Sequence, residues 1–254
     1  MSTLYLKGAP ETVAKYVVFS GDPQRVEQIV GFLSEVRKVA VSREFFTYTG
    51  LYEGLPVTVT STGIGAPSAA IALEEMYACG MKAAVRLGTV MGLQEGMLGK
   101  FVIPVGAVRD DGTTGTYVPQ SYPAVADMGL VAAMNQSAAR SGRGYLNGIV
   151  ASCDGFYSQM KDGALARRMG LDVDEKIEAY RKAGVAGIDM ETSTVLTLGR
   201  LMGISACTVT LTTVSEKVSS ELKNEDRRQA EKVDLIRVVL DGLKLFDERE
   251  GNEG

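Results

Sequence analysis

KYVVFSGDPQRVEQI, residues 15–29, reads as a buried strand, a tight turn and the start of a helix, and it decides the fold class. The run from Tyr16 to Ser20 is nearly all apolar and of strand length, as a strand covered on both faces requires. Asp22 and Pro23 then make a cap and first-turn pair that opens a helix. A second such run, KAAVRLGT from Lys82 to Thr89, also brings an arginine and a glycine to its end. Ligands of an open α/β sheet collect at the carboxyl ends of strands. Arginine suits a phosphate there because its planar fork forms paired charge-assisted hydrogen bonds. Glycine lets backbone N–H groups approach the same oxygens. Singly, Arg25 and Arg86 read as well as surface arginines. Paired with Gly21 and Gly88 at two strand ends, they point to a bound phosphate, and Arg43 in SREFFTYTG is a third cation available to it.

Working outward, strand-like runs fall near 15–20, 56–61, 82–88, 101–108, 145–151, 185–189 and 205–213. Helical patterns lie near 23–33, 66–79, 129–141, 174–183, 191–202 and 225–246. This alternation predicts one α/β domain over residues 1–254: three layers, α/β/α, around a central mixed, mostly parallel sheet. FFTYTGLYEGLPVTVTS, residues 45–61, reads as a hairpin with Glu53 and Gly54 at its turn. STGIGAPS, residues 61–68, places glycines and then Pro67 at a helix start, a second nest of backbone donors. The acidic tail, residues 247–254, is expected to fray.

With 254 residues, 45% of them apolar, the chain is long enough for a full core. The net charge of −4, without blocks of like charge, argues against nucleic acid or an anionic membrane as a partner. Any anion must therefore be captured locally. Histidine is absent, which excludes His-based triads, His metal ligands and His general bases. Cys79, Cys153 and Cys207 are widely spaced and read as buried thiols of a cytoplasmic protein.

GDPQRVEQI, SREFFTYTG, STGIGAPSAAIALEEM, RLGT, YPAVAD, ASCDGFY and GIDMETSTVL resemble, in order, the blocks of the purine/uridine phosphorylase family, nearest its bacterial uridine phosphorylases. The resemblance implies reversible phosphorolysis of a nucleoside to free base and pentose 1-phosphate, with inorganic phosphate as co-substrate and no cofactor. It places phosphate on Gly21, Arg25, Arg86 and Thr89, with Arg43 reaching into a neighbouring subunit's site. It gives the ribose to Met190 and Glu191 and the face of the base to Phe156. It also implies a homodimer as the minimal unit, a homohexamer as the assembly, and a monovalent cation at the dimer interface near Glu44, Ile64 and Ser68.

The base is less legible. After one deletion, Gln159 and Lys161 of FYSQMK match the pair that reads the pyrimidine edge, lysine standing where the family has arginine. A solvated loop pair is the plain alternative from the residues alone. Val90 and Met91 replace a glycine-ending turn that lines the family's pocket. The family's N-terminal histidine is missing, and Tyr5 stands at about its distance before GDP. Glu216 of VSEK occupies the place of the purine members' proton donor; burial would raise its pKa into that role, and a surface glutamate is the plain alternative. Four readings follow: a uridine phosphorylase, a purine or methylthioadenosine phosphorylase using Glu216, a nucleosidase in which water replaces phosphate, and a non-catalytic nucleoside-binding protein. The three arginines count against the nucleosidase.

Overall fold

The computed structural model describes residues 2–215 and 225–253. Its strands are β1 (Tyr16–Ser20), β2 (Ser34–Ser42), β3 (Phe45–Tyr52), β4 (Leu55–Ser61), β5 (Ala83–Gly92), β6 (Phe101–Asp110), β7 (Ala124–Val125), β8 (Tyr145–Cys153), β9 (Gly187–Asp189) and β10 (Ser205–Ser215). The helices are α1 (Pro23–Val30), α2 (Ala66–Ala78), α3 (Met128–Arg140), α4 (Ala164–Met169), α5 (Val173–Lys182), α6 (Thr192–Met202) and α7 (Glu225–Glu253). A five-residue π turn spans Phe156–Met160.

Side-chain alternation along β1 builds the two faces. Tyr16 and Val18 pack into one apolar cluster with Val26 and Ile29 of α1 and residues of α3 and α7. Val17 and Phe19 enter another with Leu73 and Met76 of α2 and Val195 and Leu198 of α6. Successive strand residues point to opposite faces, so a strand covered on both sides must be apolar at every position. That is the three-layer arrangement read from Lys15–Ile29.

The sheet runs β10-β6-β8-β9-β5-β1-β4-β3-β2, with β10 also paired to β5. The second pairing closes β5, β10, β6, β8 and β9 into a ring, leaving β1 to β4 as an open wing. Both kinds of pairing occur among the described strands, and the longest, β5 with β10 and β6 with β8, are parallel, so the sheet is the expected mixed, mostly parallel one. Glu53 (φ 45°) and Gly54 (φ 88°) form the expected hairpin turn, both central residues taking the positive φ that such a turn needs. The edge strand β2 has no clear apolar alternation, and its exposed Glu35, Arg37 and Lys38 hid it from sequence reading.

One expectation fails at each of two places. RLGT does not end a strand: β5 continues to Gly92, past the point where Ser20, the last residue of β1, faces Leu87. Beyond it Met91 pairs with Ile188 of β9 instead. The acidic tail does not fray at Asp247 either; α7 runs to Glu253, and Asp247 accepts hydrogen bonds from Lys15 Nζ and Tyr16 Oη, both at 2.7 Å. Those two donors, outweighing its slight burial, hold the Asp247 carboxyl below the ordinary 3.8. A depressed folded-state pKa contributes stability above the unfolded value and loses it as pH falls through the folded one. Asp247→Asn should therefore lower Tm slightly at pH 7, with the difference from wild type closing below pH 3.8; thermal unfolding at both pH values checks this. Among the described residues, no helix is long and apolar enough to cross a membrane.

Candidate active site

A cavity of about 710 Å³ opens where β5 outruns β1. That size is ordinary for a small-molecule site. Gly21 and Asp22 reach it from the β1–α1 turn and Arg25 from the start of α1, Arg86 and Thr89 from β5, Asp189 from the end of β9, and Met190 and Glu191 from the turn into α6. Three chain segments far apart in sequence thus meet at one wall.

Arg86 is the centre of this wall. It is 7% exposed, and its Nη2 donates to Glu191 Oε2. Nη1 lies 3.1 Å from Asp189 Oδ2, close enough for an ion pair but not aligned for a hydrogen bond. That N–H is therefore still available to a ligand. Burial works against the Arg86 charge, but Glu191 and Asp189 outweigh it and raise the guanidinium above its ordinary value. Gly88 makes the fold-back possible, since a Cβ there would collide with the Arg86 guanidinium. The glycine of RLGT thus makes room for a side chain.

Glu191 occupies the cap position of α6 but makes no capping bond of its own. Its carboxylate crosses instead to Arg86 and to Gly65, whose N–H donates to Oε1 at 2.6 Å. An ordinary first-turn helix acid would face its own helix. Gly65 (φ 97°) shows what the glycines of STGIGAPS do here: one of their N–H groups is committed to a carboxylate. Asp189, which sequence reading passed over, accepts from the first backbone N–H of α6, Thr192 N at 3.3 Å, from Thr192 Oγ1 at 2.5 Å and from Ser152 Oγ at 2.7 Å. Its signal was present in the sequence, an acid two residues before Glu191, but only its contact with Arg86 distinguishes it.

Arg25 is largely buried; burial lowers its pKa, with Asp22 opposing that effect and Arg86 adding to it. Its Nε has no hydrogen-bond partner in the protein. A buried guanidinium nitrogen without an acceptor is costly unless a ligand supplies one. The rest of the lining is largely apolar: Val90, Met91, Met160, Ile188 and Val214, with the partly exposed Phe156 and Tyr157. Val90 and Met91 are nearly buried, and they support the short strand β9 while facing the cavity.

The remaining expected residues are placed as follows. Gln159 is turned away: Oε1 accepts from Gly155 N at 2.7 Å and Nε2 donates to Asp110 Oδ2 at 3.1 Å. Lys161 is exposed and does not line the cavity. The pair expected to read a pyrimidine edge is therefore not brought together here, because the π turn directs Phe156 and Met160 inward instead. Arg43 and Tyr5 also lie off the cavity wall, together: the guanidinium sits 5.0 Å over the Tyr5 ring. Arg43 is exposed, on the β2–β3 turn, with φ 55°. Ile64 lines the cavity mouth and is 77% exposed. Ser68 Oγ donates to Glu44 Oε1 at 3.3 Å and to the Thr62 carbonyl. Glu216 lies outside the described residues.

Residues 15–240 match the model of the phosphorylase superfamily. The chain is 37% identical to a uridine phosphorylase of Thermococcus kodakarensis, covering 96% of this chain and 88% of that protein. It is 33% identical to a guanosine phosphorylase of Halorubrum lacusprofundi over 78% of each. The crystal structure of uridine phosphorylase from Vibrio fischeri superposes with a TM-score of 0.84 at 31% identity, covering 96% of this chain and 98% of that one.

Proposed function

The chain belongs to the phosphorylase superfamily, and from that premise we propose that it cleaves nucleosides by phosphorolysis, with uridine the preferred substrate. The C1′–N bond of the nucleoside breaks, a phosphate oxygen bonds to C1′, and the products are free base and pentose 1-phosphate. This makes the protein a pentosyltransferase. The observation that carries the reading is the buried contact between Arg86 and Glu191. It sets a cation suited to phosphate beside a carboxylate suited to a sugar diol, within one cavity.

Phosphate bound by Arg25, Arg86, Thr89 and the Gly21 turn is the nucleophile. Glu191 accepts from the 2′- and 3′-hydroxyls beside Met190, which orients C1′ for in-line attack. Positive charge develops on the sugar in the transition state, and the phosphate and Glu191 face it. Phe156 covers the base.

The formal charges of the wall support a shared site. Arg25 and Arg86 stand against Asp22, Asp189 and Glu191, which leaves the wall one negative charge in excess. A phosphate dianion there requires another cation. We propose that Arg43, exposed and stacked on Tyr5, supplies it to a second protomer, with Tyr5 beside it. We therefore assign a homodimer as the minimal active unit, and a homohexamer of three such dimers as the assembly. We also propose a monovalent cation near Glu44, Ile64 and Ser68, between two protomers; the 3.3 Å contact of Ser68 Oγ with Glu44 Oε1 supports two of the three as neighbours.

A second reading rests on the guanosine phosphorylase relative: purine nucleosides enter the same cavity. A phosphate-dependence assay with uridine, thymidine, inosine, guanosine, adenosine and methylthioadenosine separates these readings. Uridine should be cleaved fastest, only with phosphate, and with release of pentose 1-phosphate. Cleavage without phosphate would make the protein a nucleosidase, and a preference for inosine or guanosine would establish the purine reading. In the same assay Lys161→Ala should change uridine cleavage by no more than about twofold, the scale of an exposed substitution away from the site. A large loss would restore Lys161 to the base.

A further inference from the structure

Asp110, at the end of β6 and outside the cavity wall, gathers donors from three other elements on one carboxylate oxygen. Lys176 Nζ of α5 is 2.5 Å from Oδ2, and Tyr180 Oη of the same helix is 2.7 Å away. Gln159 Nε2 of the π turn is at 3.1 Å, and Cys153 Sγ at the end of β8 is at 3.5 Å. Burial works against the charged carboxylate, but Lys176 and Tyr180 outweigh it and keep its pKa below the ordinary range. The acceptor is therefore an anion at neutral pH, and hydrogen bonds to an ion are the strong ones.

The turn it holds carries the cavity's apolar wall. Lys161 N donates to Phe156 O at 2.8 Å, closing the π turn, and Met160 packs with Val173 and Ile177 of α5 beneath it. Both ends of the Gln159 amide are used, one by Gly155 and one by Asp110. Gly155 permits this, because a Cβ there would meet Gln159 Oε1 at 3.0 Å and collide with the Ser158 hydroxyl. Asp110 thus holds the Gln159 side chain outside the cavity that Phe156 and Met160 line.

Resting on the phosphorolysis reading above, we propose that Asp110 is a positioning residue for base selection: it fixes the Phe156–Met160 turn with Phe156 and Met160 toward the base and Gln159 away from it. The cavity then grips the base by shape and apolar surface on this side. Without Asp110 the Gln159 amide is free to turn inward, adding a donor and an acceptor that different bases satisfy unequally.

The experiment compares Asp110→Ala, Gln159→Ala and the double variant with wild type. It measures KM for uridine, inosine and phosphate, and calorimetric binding of uracil and hypoxanthine. Asp110→Ala should change the uridine-to-inosine ratio of kcat/KM by about fivefold or more, the scale of coupling between contacting residues, with phosphate KM unchanged. The double variant should return the ratio toward wild type, which a purely structural role would not do. Asp110→Asn keeps the shape of the side chain and loses the anion, and should shift the ratio in the same direction by a smaller factor if Asp110→Ala does not fold. An unchanged ratio in every soluble variant overturns the proposal, as does a shift that survives loss of Gln159. The calorimetric ratio needs no turnover, so a wild type that binds bases without cleaving nucleosides refutes the phosphorolysis reading while still testing Asp110.

Discussion

Arg86→Lys is expected to leave a folded protein whose kcat/KM is lower by about 10²- to 10³-fold, the scale of losing one preorganised donor to developing charge. The reason is geometric. Arg86 engages Glu191 through Nη2 and approaches Asp189 through Nη1, with the Nη1 hydrogen-bonding capacity still unspent. A lysine ammonium is a point charge on a flexible stem and cannot span two carboxylates while donating to phosphate. The loss should fall on phosphate KM and kcat together. Arg86→Ala is predicted to be worse for a second reason, because it leaves Asp189 and Glu191, 3% and 5% exposed, without their cation. Breaking a buried pair in this way costs about 3–5 kcal/mol, so reduced yield or a large drop in Tm should accompany inactivity. Steady-state kinetics of the lysine variant and thermal unfolding of both check the assignment. Wild-type phosphate KM and turnover in Arg86→Lys would remove Arg86 from the phosphate site.

Glu191→Gln should lower kcat/KM for the nucleoside by about 10²-fold while leaving phosphate affinity the same or severalfold tighter. The amide keeps the shape of the side chain and one acceptor for the Gly65 N–H. It loses the charge that strengthens the sugar hydroxyl bonds and faces the developing cation. It also stops competing with phosphate for Arg86. The opposite movement of the two substrates is the diagnostic. If phosphate and nucleoside affinities weaken in step, Glu191 supports the wall and does not bind the sugar.

These effects trace to features of unequal visibility in the chain. Tyr16–Ser20, Asp22 and Pro23 announce a strand, a cap and a helix by local chemistry alone, and the structure has each of them. Arg25, Arg86, Thr89 and Glu191 could be named beforehand because their surrounding blocks resemble a known family, and the cavity collects all four. β2 was missed because an exposed edge strand shows no clear apolar period. The end of RLGT was misplaced because β5 is extended by partners, Ile188 of β9 and Val214 of β10, that no local pattern announces.

Sequence by itself thus determined the alternation of strands and helices, the exclusion of histidine chemistry, and the glycine and arginine residues brought to the cavity. Each follows from residue type and spacing within a few positions. Tertiary structure alone decided how those side chains point. Arg86 meets Glu191 across 105 positions of chain, and Gln159 turns to Asp110 across 49. A side chain takes the direction in which its charge and hydrogen bonds are satisfied at least cost of burial, and here the groups that satisfy them come from other strands and helices.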